Sequence, residues 1–329
     1  MGKRVKIKRI GVFTSGGDAP GMNAAIRAVV RTALNYGAEV YGIMRGYDGM
    51  IKGDFIKLES KDVSGIIQRG GTILQSARSD GFRTKEGRKK AYENLVKNEI
   101  EALIAIGGDG TFTGATLFHE EYGMNVIGIP GTIDNDLFGT DGTIGYDTAM
   151  NTVIEAVDKI KDTAGSHNRL FFIEVMGRDA GSIALNTGIA VGAEDILIPE
   201  TVTYMEDLIL TLKHNKKKGK GTGIIIVAEG DDLGGAYEVA EKVKALDNTY
   251  STRVTVLGHI QRGGSPSLAD RVLASRLGFH AVEALFLGHN DVMVGIINNK
   301  LAYTTLDHAI KHRVEINKDL LRLARILSI

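Results

Sequence analysis

The stretch Ile10-Gly11-Val12-Phe13-Thr14-Ser15-Gly16-Gly17-Asp18-Ala19-Pro20-Gly21-Met22 carries the pattern on which the fold turns. A short aliphatic run ends in a glycine-and-aspartate turn. An apolar helical pattern follows, with Met22, Ala25, Ile26, Val29, Val30 and Ala33 on one face. The sequence of run and turn, leading into a helical pattern or loop, returns at Gly107-Gly108-Asp109-Gly110-Thr111 after the run Leu103–Ile106. It returns again at Pro130-Gly131-Thr132-Ile133-Asp134-Asn135-Asp136 after Val126–Ile129. Further runs at Val40–Met44, Phe171–Val175, Ile196–Ile198, Ile224–Ala228, Val254–Leu257 and Val292–Ile297 are mostly apolar without alternation, as strands buried on both faces are. Between them, Ala149–Ile160, Glu86–Lys97, Met205–Lys217, Tyr237–Leu246 and Ala269–Leu287 fit helices. Strand-helix alternation predicts an α/β fold whose mostly parallel sheets carry helices on both faces.

A chain of 329 residues exceeds one ordinary core, so two domains are expected, with a weak break near Gly145. Glycine is abundant, 42 residues or roughly 13% against about 7% on average. With only 4 prolines and no repeat, the excess reads as tight strand-to-helix turns. Lysine plus arginine equals aspartate plus glutamate at 40 each, which argues against a nucleic-acid partner. Cysteine is absent, so disulfides, zinc-thiolate sites and cysteine nucleophiles are excluded. The longest aliphatic run, Ile224–Ala228, is too short to span a bilayer, and a cytoplasmic chain is expected.

Ligands of an open parallel sheet bind at the carboxyl ends of strands. Glycines there let backbone N–H groups approach a phosphate, and the following helix N-terminus favours an anion. The aspartates add a Mg²⁺ ligand and a base for a hydroxyl. Such turns suggest a nucleotide-dependent kinase. The first turn lacks the spacing of the dinucleotide fingerprint. No G-x-x-x-x-G-K-[ST], H-R-D or D-F-G occurs, so P-loop enzymes and protein kinases are excluded. Asp134-Asn135-Asp136 sets two carboxylates around an amide, either an Asx-turn or a base with a partner. Arginines in glycine-bearing loops, among them Arg78, Arg169, Arg178, Arg253 and Arg262, suit bidentate phosphate recognition.

Together these motifs resemble the bacterial ATP-dependent 6-phosphofructokinase family over essentially the whole chain. Thr14–Asn23, Pro130–Asp136, Glu174–Arg178 and Leu257–Gly264 are the specific segments. The resemblance implies two Rossmann-like α/β/α domains. An ATP-binding domain would span 1–145 plus about 261–311, and a fructose 6-phosphate domain 146–260 plus about 312–329. It implies that Gly17, Arg78, Ser79, Gly108, Gly110 and Thr111 hold ATP, with Asp109 as the Mg²⁺ residue. Thr132 and Asp134 would meet the sugar, Asp134 taking the proton of its 1-hydroxyl. Arg78 and Arg178 would offset charge on the transferred phosphoryl. Met176, Gly177, Arg178, Glu229, His259 and Arg262 would bind fructose 6-phosphate, with Arg169 and Arg253 reaching in from a neighbouring subunit of a homotetramer.

The resemblance also implies an ADP or phosphoenolpyruvate effector site of Arg27, Arg31, Lys161, Gly192, Glu194, Lys218 and Lys220. Lys161 replaces a usual arginine, Ser60 a usual basic residue, and Gly221 and Thr222 a lysine and a histidine, so altered regulation is expected. Pyrophosphate-dependent relatives typically carry an aspartate at the place of Gly110 and a lysine at that of Gly131, and both are glycine here, favouring ATP. A pyrophosphate-dependent enzyme and a non-catalytic sugar-phosphate or nucleotide sensor are the alternatives. The intact Asp109, Asp134, Arg78 and Arg178 argue against the sensor.

Overall fold

The computed structural model describes residues 5–165, 169–218, 222–312 and 314–328. Among them strands run in the order β1 (Arg9–Thr14), β2 (Glu39–Ile43), β3 (Phe55–Leu58), β4 (Ala102–Gly107), β5 (Asn125–Pro130), β6 (Arg169–Val175), β7 (Asp195–Leu197), β8 (Gly223–Ala228), β9 (Ser251–Val256), β10 (Val292–Ile297) and β11 (Lys300–Thr305). Helices run in the order α1 (Met22–Asn35), α2 (Gly46–Lys52), α3 (Lys85–Lys97), α4 (Asp109–Tyr122), α5 (Tyr146–Gly165), α6 (Ser182–Ala190), α7 (Met205–Lys217), α8 (Ala236–Leu246), α9 (Leu268–Phe286), α10 (Leu306–Lys311) and α11 (Lys318–Leu327). The chain divides into one unit of Met1–Thr148 with Arg262–Val314 and another of Ala149–Gln261 with Glu315–Ile329. No described helix is long and apolar enough to cross a membrane.

The first unit holds a seven-stranded sheet in the order β11-β10-β5-β4-β1-β2-β3. Its interior pairs are parallel, and the edge strands β3 and β11 run antiparallel. β4 is buried at every position, which explains its unbroken apolar run. Strand order reverses direction between β1 and β4, so their carboxyl ends frame the crevice where ligands of this architecture bind. Helices α1 and α9 lie close because Gly278 replaces a side chain. A Cβ there would stand 2.7 Å from the Ala28 Cβ and 2.8 Å from the Ala25 carbonyl oxygen. An aromatic core of Phe13, Tyr47, Phe82, Phe112 and Phe118 fills the opposite side. Tyr47 and Phe82 stack with centroids 3.9 Å apart. The Tyr47 hydroxyl donates to the Thr111 carbonyl at 2.5 Å, tying this core to the second glycine turn.

The second unit holds a parallel four-stranded sheet, β7-β8-β6-β9. β8 is buried throughout. The edge strand β9 begins three residues earlier than its apolar run suggests, and its residues are exposed or half-buried with none fully buried.

The buried Asp270 fixes the start of α5 within the first unit. It accepts from the Gly145 and Thr148 N–H groups, both at 2.8 Å, and from the Thr148 hydroxyl at 2.5 Å. Burial pushes its carboxyl up from the ordinary range, and the bonds from Thr148 and Gly145 pull the other way. A raised folded-state value means that the fold prefers the protonated acid. Its contribution is therefore fullest below the unfolded carboxyl range, about pH 4, and declines as pH climbs through the raised range. Asp270→Ala should cost about 2 kcal/mol in urea unfolding at mildly acidic pH. The gap from the native chain should narrow as pH rises, and a widening gap would contradict the assignment.

Candidate active site

Three turns meet at the carboxyl ends of β1, β4 and β5. The Ser15 N–H donates to the Ile106 carbonyl at 3.1 Å, and the Thr111 hydroxyl donates to the Ser15 carbonyl at 3.1 Å. The Gly131 N–H donates to the Gly107 carbonyl at 3.0 Å. Gly107 sits at the junction. A Cβ there would stand 2.3 Å from the Thr111 hydroxyl and 2.6 Å from the Ser15 carbonyl oxygen. A Cβ at Gly110 would meet nothing within 4 Å, so open space lies over the first turn of α4.

Gly108 caps α4 and Asp109 opens it, where the helix leaves N–H groups without helical partners. The Asp109 Oδ1 accepts from the Gly110 N–H at 2.6 Å, and its carboxylate is half-exposed. Among the described residues no three His, Cys, Asp or Glu side chains gather as a metal cluster. A single carboxylate suits Mg²⁺, which takes most of its ligands from phosphates and water. Gly17 lies on the first turn, Ser79 accepts from the Phe82 N–H at 3.3 Å, and Arg78 is exposed in the loop before it.

The third turn is rigid. Asp134 is buried to 8% exposure, and its N–H donates to the Thr132 hydroxyl at 3.2 Å. Asn135 adopts a left-handed φ of 52°, and its Oδ1 accepts from the Thr143 N–H at 2.9 Å. The buried Thr143 hydroxyl donates to the Thr132 carbonyl at 2.6 Å. Asn135 ties this turn to Thr143, and Asp134 lies buried beside it. The Arg262 guanidinium lies 3.9 Å from the Asp134 Oδ1.

In the second unit, Met176, Gly177 and Arg178 form the turn after β6. Gly177 has φ 144° and Arg178 has φ 54°, an uncommon conformation for a residue with a side chain. One Glu229 oxygen accepts from the Arg178 N–H at 2.7 Å and the Gly177 N–H at 3.3 Å. The Gln261 side-chain oxygen accepts from the Met176 N–H at 3.2 Å. Arg169 and Arg253 share one face of the sheet, because Phe171, two residues beyond Arg169, pairs with Arg253. Two cations on one face repel unless an anion joins them. His259 is exposed on the turn after β9.

The predicted effector residues divide between the units. Arg27 and Arg31 lie on α1 in the first unit, and burial followed by the neighbouring Arg31 charge lowers the Arg27 guanidinium pKa. In the second unit the Lys161 ammonium donates to the Val191 carbonyl beside Gly192, whose φ is 57°. The Asn215 amide donates to a Glu194 oxygen at 2.7 Å, and Lys218 caps the same helix as Asn215. Lys220 lies outside the described residues.

A Phosphofructokinase family profile matches residues 9–285. The chain belongs to that family. It is 57% identical to ATP-dependent 6-phosphofructokinase 1 of Thermus thermophilus over 323 residues, covering 98% of this chain and 100% of the relative. It is 56% identical to the ATP-dependent 6-phosphofructokinase of Cytophaga hutchinsonii, covering 98% of each. Among solved structures, phosphofructokinase from Saccharomyces cerevisiae superposes with a TM-score of 0.87 at 40% identity, over 92% of this chain and 45% of the yeast chain. The chain thus spans less than half of that longer relative. A pyrophosphate-dependent phosphofructokinase from Marinobacter aquaeolei shares the fold, with a TM-score of 0.84 at 24% identity over 98% of this chain and 91% of that one.

Thr143, which bonds Thr132 and Asn135, Asn215, which bonds Glu194, and Asp270, which bonds Gly145 and Thr148, were not expected from the sequence. Their partners lie from eight to 125 residues away, beyond the reach of helix or strand periodicity. The junction gives a paired prediction. Gly107→Ala should destabilise the chain by about 1–3 kcal/mol in urea unfolding, because the new methyl meets backbone and Thr111. Gly110→Ala should change stability by less than about 0.5 kcal/mol. Equal effects would mean that the turns do not abut as described.

Proposed function

We propose that Asp134 is the base by which this phosphofructokinase deprotonates the 1-hydroxyl of fructose 6-phosphate for attack on the γ-phosphoryl of ATP. The chain is an ATP-dependent 6-phosphofructokinase, a glycolytic kinase that yields fructose 1,6-bisphosphate and ADP; its full-length relatives at 53–57% identity carry that name. The observation that supports the base assignment is a buried carboxylate, held by the Thr132–Thr143 loop, on the same sheet edge as the two glycine turns that end β1 and β4. Phosphoryl transfer asks little covalent work of a protein and much positioning.

In this proposal Gly17, Gly108, Gly110 and Thr111 present backbone and hydroxyl donors to the ATP phosphates, flanked by Arg78 and Ser79. Asp109 would hold Mg²⁺, which neutralises phosphate charge when bound. Thr132 and Asp134 orient the acceptor hydroxyl, and Asp134 receives its proton. Met176, Gly177, Arg178, Glu229 and His259 recognise the sugar, with Arg178 and Arg78 balancing charge on the transferred group. Arg169, Arg253 and Arg262 recognise its phosphate. Assembly as a homotetramer belongs to the same proposal, as does an ADP or phosphoenolpyruvate site at Arg27, Arg31, Lys161, Gly192, Glu194 and Lys218.

The donor follows from Gly110. The open space at its Cβ position leaves room for the rest of a nucleotide, and a carboxylate there would intrude by bulk and charge. Gly110→Asp should fold normally and lose most kcat/KM for ATP while gaining relative use of pyrophosphate, read in a coupled assay with both donors. Unchanged donor preference would remove Gly110 from that role. Asp134→Asn should lower kcat by about 10²–10⁴ with a far smaller change in KM for the sugar, as loss of a general base does. Near-native turnover would remove Asp134 from the mechanism.

A further inference from the structure

Family resemblance gives Arg262 to the sugar phosphate, yet within the first unit its guanidinium already has work. One nitrogen, Nη2, lies 3.9 Å from the Asp134 Oδ1. The other, Nη1, donates to the Asp18 carbonyl at 3.3 Å. The flat cation rests on Gly17, where a Cβ would stand 2.6 Å from Nη1. The two side chains are 19% and 10% exposed, so solvent screens this pair less than a surface pair. Three further acids lie on the glycine turns and on Asp134's own loop. Asp18 follows Gly17 on the first turn, Asp109 follows Gly108, whose Cβ position faces Thr132, and Asp136 lies on Asp134's own loop. Neighbouring carboxylates favour a protonated Asp134, which cannot accept a proton, and a nearby cation opposes them.

We infer that Arg262 is a positioning residue for the base: braced on Gly17 and the Asp18 carbonyl, it holds the Asp134 carboxylate ionised and in place before substrate arrives. This is a role apart from any contact with the sugar phosphate. Its kinetic consequence rests on Asp134 being the base, whereas the pairing itself does not.

Two measurements on the full chain separate those claims. The first uses ligand-free native protein, Asp134→Asn, Arg262→Gln and the double variant, unfolded in urea at pH 7.5 and at pH about 4. Pairing predicts non-additive effects at the higher pH, a coupling of about threefold or more in the unfolding constant, fading in acid as the carboxylate takes a proton. Additive effects at both pH values would overturn the inference, whatever Asp134 does in catalysis. The second follows kcat/KM for fructose 6-phosphate against pH, whose acid limb reports the free enzyme's base. In Arg262→Gln that limb should move up by about one pH unit, and Arg262→Lys, which keeps the charge, should restore most of the shift. A raised KM with an unmoved limb would reduce Arg262 to a substrate contact and overturn the inference. Coupling in the stability cycle together with native turnover in Asp134→Asn would support the ion pair and count against the base assignment alone.

Discussion

Hydrogen bonds between neighbouring strand ends, two of them from backbone N–H groups and one from a threonine hydroxyl, hold the glycine turns and the acidic loop together. The Ser15 N–H reaches the Ile106 carbonyl, the Thr111 hydroxyl reaches the Ser15 carbonyl, and the Gly131 N–H reaches the Gly107 carbonyl. These bonds exist because β1, β4 and β5 are parallel neighbours whose carboxyl ends finish level. Only glycine fits at position 107, where a side chain would separate the turns. Once they abut, the helix N-terminus of α4, the Asp109 carboxylate and the Asp134 loop share one edge of one sheet.

Rigidity there is supplied from a distance. Thr143 closes the Asp134 loop from eleven residues along the chain, and Asp270 anchors the segment that follows at Gly145 and Thr148. The loop carrying Asp134 is therefore bonded at both ends before any ligand binds. A carboxylate held this way loses little freedom when a ligand arrives, which is the preorganisation that the role proposed for Asp134 would use. The second unit uses a related device on its own: Glu229 braces the strained Gly177-Arg178 turn by accepting from two consecutive N–H groups.

Much of this was legible in the sequence where burial is symmetric. The runs at Ile10–Thr14, Leu103–Ile106 and Ile224–Ala228 are buried at every position, and each lies in a central strand. β3 and β11 were not foreseen. Both are edge strands, and Lys57, Lys300, Tyr303 and Thr304 interrupt their pattern because one side meets solvent. α4 was missed for another reason: Gly110, Gly114 and three threonines depress its helix propensity, while packing of Gly114 against Tyr47 and burial of Phe112 and Phe118 decide the outcome. The glycine-aspartate turns were visible because glycine and aspartate cluster where the apolar runs end. The approach of Arg262 to Asp134 was not, since 128 positions separate them in the sequence.

A crystal structure of the chain with fructose 6-phosphate, Mg²⁺ and a non-hydrolysable ATP analogue tests the central claim most directly. The turns as described predict the phosphates over Gly17, Gly108 and Gly110, with an Asp134 oxygen within about 2.6–3.2 Å of the sugar's 1-oxygen. A nucleotide bound away from these turns, or an Asp134 carboxylate directed away from that oxygen in the ternary complex, would contradict it.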